Sequence, residues 1–139
     1  MRIEVNATPI VKDGHELLRI TSDILIISKA GQDGYKRKAV KALWDTGATN
    51  TSIPMETATA MGIQLGDECP VTAGTAVSRS NFCKFFLQFP SGEVVPVRDG
   101  MAVPGMRAPL VIGMDIIGKG VSSIVPDGNG GVRFSFEIR

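Results

Sequence analysis

Apolar and polar residues alternate along this chain in short runs broken by turn signals, the pattern of strands whose successive side chains face opposite sides of a sheet. The clearest run is the last, where Val132, Phe134, Phe136 and Ile138 alternate with Arg133, Ser135, Glu137 and Arg139. That pattern predicts a half-buried strand. Phe85, Leu87 and Phe89 alternate with Phe86 and Gln88, and residues 20–27 are rich in β-branched side chains. Residues 38–44 form another strand-like run that leads directly into Asp45. Asp13-Gly14, Asp33-Gly34, Ser91-Gly92 and the stretch Asp127-Gly128-Asn129-Gly130-Gly131 favour tight turns between these runs.

Two segments read as helical. Residues 55–61 follow Pro54 and stop at Gly62, a favourable start and stop. Residues 114–117 form a shorter turn, with Asp115 the expected N-cap and Gly118 the stop. No internal repeat, low-complexity segment or linker interrupts the 139 residues, so the expectation is one mostly antiparallel β domain spanning 1–139.

Composition narrows the function classes. The hydrophobic fraction is 43%, with 16 Gly and 8 Pro, which suits a folded and turn-rich protein. A net charge of +1 gives no field that would draw nucleic acid or an anionic membrane, so neither is expected as a partner. Lys36-Arg37-Lys38 has no interleaved aromatics and reads as a solvated hairpin edge. Cys69 and Cys83 stand fourteen apart and His15 is the one histidine, too few ligands at too wide a spacing for zinc. No metal or other cofactor is expected. One disulfide is open to these cysteines, but two buried free thiols are the expectation. His15 reads as a surface residue, and Phe82, Phe85, Phe86 and Phe89 read as core. The first residues lack a signal-peptide apolar region, and no run approaches ~18 apolar residues, so a cytoplasmic protein is expected. The sequons at Asn6 and Asn50 read as chance.

The candidate chemistry lies in Ala42-Leu43-Trp44-Asp45-Thr46-Gly47-Ala48. An apolar strand ends on a carboxylate. A hydroxyl that can fix a loop and a glycine that permits close backbone approach come next. Taken alone it is an ordinary Asp-Thr-Gly turn, which arises by chance in on the order of a few per cent of chains this long. The second piece is Leu110-Val111-Ile112-Gly113 followed by Met114-Asp115-Ile116-Ile117. Alone it is a buried strand with a glycine exit.

Together the two pieces resemble the retropepsin family of aspartic peptidases. That family pairs an apolar-Asp-Thr/Ser-Gly-Ala loop with a later apolar-apolar-Gly strand and short helix. Here the second glycine, Gly113, follows Asp45 by 68 residues. Asp45 to Asn50 and Ile112 to Ile117 match the strings Asp-Thr-Gly-Ala-Thr-Asn and Ile-Gly-Met-Asp-Ile-Ile of its cellular and bacterial branch. The resemblance covers roughly residues 38–118. It implies an all-β fold, a retropepsin-like closed β-barrel with two short helices and a dimeric active site.

The resemblance also implies a reaction: hydrolysis of peptide bonds in a peptide or protein substrate. Asp45 is then the catalytic residue, and Thr46, Gly47 and Ala48 form the active-site loop. The chain has a single Asp-Thr-Gly, so the second carboxyl is expected from a homodimer mate, with Asp115 left to a structural place on the helix. A β-hairpin flap would lie between Cys69 and Phe82, with Ala73, Gly74 and Thr75 as substrate-binding residues; the other reading of that segment is a plain surface hairpin. Viral retropepsins usually carry an acid four residues after the catalytic Asp and an Arg just after the second glycine. Here Thr49 and Met114 stand at those places, so the interface must be built differently. In viral enzymes the final strand pairs across the dimer; Val132 to Ile138 is open to that, or to pairing within its own subunit. A retropepsin-fold dimerisation or peptide-binding module with little turnover is the alternative function, and an unrelated β-barrel is a third reading.

Overall fold

The fold is that of a computed structural model, which describes residues 2–29, 35–73 and 75–139. The Asp33-Gly34 turn and Gly74 lie outside them. In chain order the elements are β1 (Arg2–Ala7), β2 (Ile10–Lys12), β3 (His15–Leu17), β4 (Thr21–Ile27), β5 (Arg37–Trp44) and β6 (Ser52–Pro54). Then come α1 (Met55–Ala60), β7 (Leu65–Ala73), β8 (Ala76–Gln88), β9 (Val94–Val103) and β10 (Val111–Ile112). The chain ends with α2 (Met114–Ile117), β11 (Gly120–Pro126) and β12 (Val132–Ile138). This is the expected all-β class with two short helices.

The largest sheet has seven strands in the order β4-β5-β10-β6-β9-β8-β7, and β4 also pairs with β8. That extra ladder brings six of the strands round towards a barrel. The join between β10 and β6 is one residue pair, Val111 with Ser52, so the barrel falls short of a continuous closed wall. Antiparallel ladders dominate, but β10 runs parallel to β5 and β6 runs parallel to β9. Both parallel ladders lie where β5 delivers Asp45. A second sheet, β1-β12-β11, is separate, and β2 and β3 make a two-stranded hairpin.

Period-two alternation decides what is buried. Phe85, Leu87 and Phe89 are buried, as are Phe134 and Phe136 from the last strand. They meet Trp44, Ile112 and Ile116 in one core. Trp44 has its ring centroid 5.0 Å from those of Phe134 and Phe136. Its indole N–H donates to Ser22 Oγ at 2.8 Å, so the buried polar atom is satisfied. The end of β5 is thereby pinned one residue before Asp45.

Three expectations need correction. Phe82 is 36% exposed, and Phe86 is half-buried, because both sit on the face of β8 opposite Phe85 and Leu87. Asp115 is not the N-cap of α2; Gly113 holds that position without a side-chain bond, and Asp115 sits one residue inside the helix. Both cysteines are free, but Cys69 is half-buried and only Cys83 is buried. β12 pairs on both sides within its own subunit, with β1 and with β11. His15 is exposed, as expected.

Candidate active site

The loop that carries Asp45 is held from both ends. At its start, the Leu43 amide donates to Leu110 O and the Asp45 amide donates to Ile112 O, each at 2.9 Å. At its far side, the Met114 amide donates to Ala48 O at 2.8 Å and the Asp115 amide donates to Thr49 O at 3.1 Å. The two segments found in the sequence thus pack against each other. Gly113 is what lets them meet. A Cβ there would fall 2.8 Å from the carbonyl oxygens of both Ala48 and Asn50, a distance that side chains do not tolerate.

Inside the loop, Ala48 N donates to Asp45 O at 3.2 Å and Gly47 N donates to Asp45 Oδ1 at 2.8 Å. One carboxylate oxygen is therefore fixed by the backbone. Thr46 and Gly47 are exposed, and Asp45 and Ala48 are half-buried. Thr51 locks the underside. It is fully buried; its hydroxyl donates to Asp115 Oδ1 at 2.7 Å and accepts from Gly113 N at 3.2 Å. Asn50 reaches across to β9, donating from Nδ2 to Asp99 O at 2.9 Å.

Asp45 opens onto a cavity of about 500 Å³. One wall is the loop itself, with Gly47 to Asn50 and Ser52. The facing wall is Cys69 to Thr72 with Phe82, and Met101 of β9 closes the side. Among the described residues, Asp45 is the one carboxylate in this lining. Cavities of about 550 and 820 Å³ lie elsewhere, and Asp45 lines neither.

The facing wall belongs to the β7–β8 hairpin, which closes at the pair Ala73 and Ala76. The segment expected to carry the flap is therefore a hairpin, and its stem residues 69–72 are the ones that line the Asp45 cavity. Thr75 is exposed at the turn, Gly74 lies outside the described residues, and Ala73 is placed here by its backbone alone. Phe82, Thr51 and Met101 were not singled out as site residues by the sequence. Parity along β8 marks Phe82, since it is out of phase with Phe85 and Leu87. Among the described residues, no three His, Cys, Asp or Glu side chains gather as metal ligands.

Residues 35–119, more than half of the chain, match the family model described as "gag-polyprotein putative aspartyl protease". The chain belongs to the retropepsin-like aspartic proteases. The match takes in the Asp45 loop, the hairpin above it, Gly113 and α2, and leaves β1 to β4 and the β11–β12 hairpin outside. Among curated proteins, none matches the sequence. The crystal structure of a retropepsin-like aspartic protease from Rickettsia conorii is similar, with a TM-score of 0.53 and 14% identity. The alignment covers 100% of this chain and 95% of that one, so the likeness in fold extends to strands beyond the family match.

Proposed function

We propose that this retropepsin-like protein is an aspartic endopeptidase whose catalytic centre is a pair of Asp45 carboxyls across a homodimer axis. The family supports proteolysis as the activity. The observation that carries the finer reading is Asp45, the single carboxylate among the described residues that line a cleft walled by a hairpin. Hydrolysis by carboxyl groups alone needs two of them, one as base and one as acid. A two-fold interface supplies the second by placing identical groups across its axis. Exposed Thr46 and Gly47 beside Asp45 leave the loop free to meet its mate.

Two carboxyls held that close share a proton, as in aspartic proteases generally. The ionised member takes a proton from a water between them while the protonated member donates to the scissile carbonyl. Water attacks the carbonyl carbon to give a tetrahedral diol; the C–N bond then breaks as the amine takes the proton that the first carboxyl drew from water, and a diol hydroxyl returns a proton to the second carboxyl, leaving the acid product. Gly47 N, bonded to Asp45 Oδ1, keeps the carboxylate aimed. The neutral lining beside it, with Val71, Phe82 and Met101 among small polar groups, suits an extended peptide with uncharged side chains next to the cut. Free Cys69 and Cys83 fit a reducing compartment, and a cytoplasmic setting is part of this proposal.

Incubation with a denatured protein mixture from acidic to neutral pH, wild type against Asp45→Asn, tests the reading. Cleavage by the wild type that vanishes in the variant is expected. The absence of cleavage by both, in a chain shown to dimerise, would favour the binding-module reading; the neutral Thr49 and Met114 at the usual ion-pair positions are the feature that keeps it in view.

A further inference from the structure

We propose that the cavity of about 820 Å³ beside the Asp45 cleft is a distal substrate subsite, which takes an apolar side chain and, two residues further from the cut, a carboxylate. The inference rests on the peptidase reading and names the class of sequence that the enzyme selects. Phe82 lines both this cavity and the one that Asp45 opens onto, so the two adjoin round a single side chain. β7 walls both: its residues 69–72 line the Asp45 cavity, and its residues 65–67 line the larger one. In a paired-Asp45 dimer each subunit offers one such cavity, one for each side of the cut.

Two β-bulges build the larger cavity. β8 is flanked by β7 and β9, and each neighbour carries an extra residue close to the same level of β8. On β7 the pairs Leu65 with Cys83 and Glu68 with Asn81 leave Gly66 and Asp67 opposite Phe82. On β9 the pairs Cys83 with Gly100 and Phe85 with Val97 leave Arg98 and Asp99 opposite Lys84. All four bulged residues line the cavity. Bulges re-aim side chains and are over-represented beside active sites. The second bulge is also tied to the Asp45 loop, since Asn50, which lines the Asp45 cavity, donates to Asp99 O at 2.9 Å.

Charge indicates what the cavity takes. Lys84 and Arg98 are cross-strand neighbours of like sign, an arrangement that costs stability. Among the described residues, neither forms an ion pair or a side-chain hydrogen bond. Asp67 and Asp99 share the lining and form no ion pair either, and Lys29 brings the cations there to three against two. A ligand carboxylate between Lys84 and Arg98 relieves their repulsion and gains charge-assisted hydrogen bonds. Phe82 and Lys84 share one face of β8, two residues or about 7 Å apart. An extended peptide repeats its side chains at the same spacing, so a residue on Phe82 and the next but one at Lys84 spell an apolar-x-acid pattern. Phe82 is 36% exposed and Leu65 38%, which gives the apolar side chain its seat.

Three synthetic peptides test this. One is the uncharged hexapeptide Ala-Val-Phe-Leu-Val-Ala; the others extend that core at both ends so that Phe, then Ser, then either Glu or Lys leads away from it. With the wild type, the Glu-extended peptide should show a KM at least fivefold below those of the core and of the Lys-extended peptide. Lys84→Glu combined with Arg98→Glu should reverse the preference between the two extended peptides. Occupancy is read without turnover in Asp45→Asn carrying Gln64→Cys, because Gln64 lines the distal cavity and Cys69 lines the Asp45 cavity. The core peptide should slow alkylation of Cys69 alone, and the Glu-extended peptide should slow that of both thiols. Protection of Cys69 without the introduced thiol, or cleavage with a KM indifferent to the extensions, would overturn the distal subsite and leave the peptidase reading intact. Protection of both thiols by the Glu-extended peptide, with no cleavage by the wild type, would support the cavity as a peptide site and count against the proposed activity. No protection by any of the three would overturn the inference outright.

Discussion

The hydroxyl of Thr51 and the carboxylate of Asp115 are joined by a 2.7 Å hydrogen bond beneath the Asp45 loop. Sixty-four residues separate them, and the bond ties the exit of that loop to the first turn of α2. Asp115 Oδ1 also accepts from Ile116 N at 3.0 Å. Asp115 is thus a structural clamp and stands away from the cavity lined by Asp45. Asp115→Ala leaves the buried Thr51 hydroxyl without its acceptor, at a cost of about 1–3 kcal/mol. Asp115→Asn keeps an oxygen acceptor and should cost less. Thermal denaturation of the two variants checks the order; equal loss in both would place the effect in the charge and not in the hydrogen bond.

Gly113→Ala should be worse than its size suggests. The added methyl meets two backbone oxygens, which cannot rotate away as a side chain can. We expect destabilisation of about 1–3 kcal/mol and a loss of proteolysis larger than the unfolded fraction explains, because Asp45 moves with the loop. Urea denaturation alongside specific activity per folded molecule measures both. Wild-type behaviour would show that the loops are not held at this contact.

Cys83 gives a pH dependence with a definite sign. Burial raises its thiol from an ordinary 9.0 to about 11, since the thiolate is the form that burial disfavours. A raised pKa in the folded state means that the unfolded chain loses this proton first as pH climbs. Stability from this group is therefore complete below pH 9 and is lost as pH rises towards 11. Relative to Cys83→Ala, wild type should lose stability across that window in chemical denaturation. A constant difference would contradict the shift. Half-buried Cys69 should be alkylated well before Cys83.

Phe82 should matter to substrate and not to folding. It walls the Asp45 cavity and is 36% exposed, so Phe82→Ala removes contact with a bound peptide and leaves the core intact. We expect a several-fold rise in KM with a melting temperature within a few degrees of wild type. A large loss of stability instead would return Phe82 to the core.

The strands and their inward faces were legible because alternation is a local signal: Phe85, Leu87 and Phe89 point one way for the same reason that Phe134 and Phe136 do. The Asp45 loop and Gly113 were legible through motif and spacing. What the sequence concealed depends on pairing between distant strands. The parallel ladders, the Thr51–Asp115 bond across 64 residues and the outer place of β11 in its sheet have no local mark. Neighbours along the chain make Asp115 read as a cap, while its hydroxyl partner, Thr51, is 64 residues away. Residue type makes Phe82 read as core, while its parity in β8 turns it outward.

The paired Asp45 centre is tested most directly by mixing subunits. Wild type is combined with excess Asp45→Asn chains under conditions of proven exchange, and cleavage is followed as the ratio rises. Mixed dimers hold one defective carboxyl, so activity should fall far below the wild-type amount present. Activity that simply tracks the wild-type amount would show that each subunit carries a complete site, and would contradict the account.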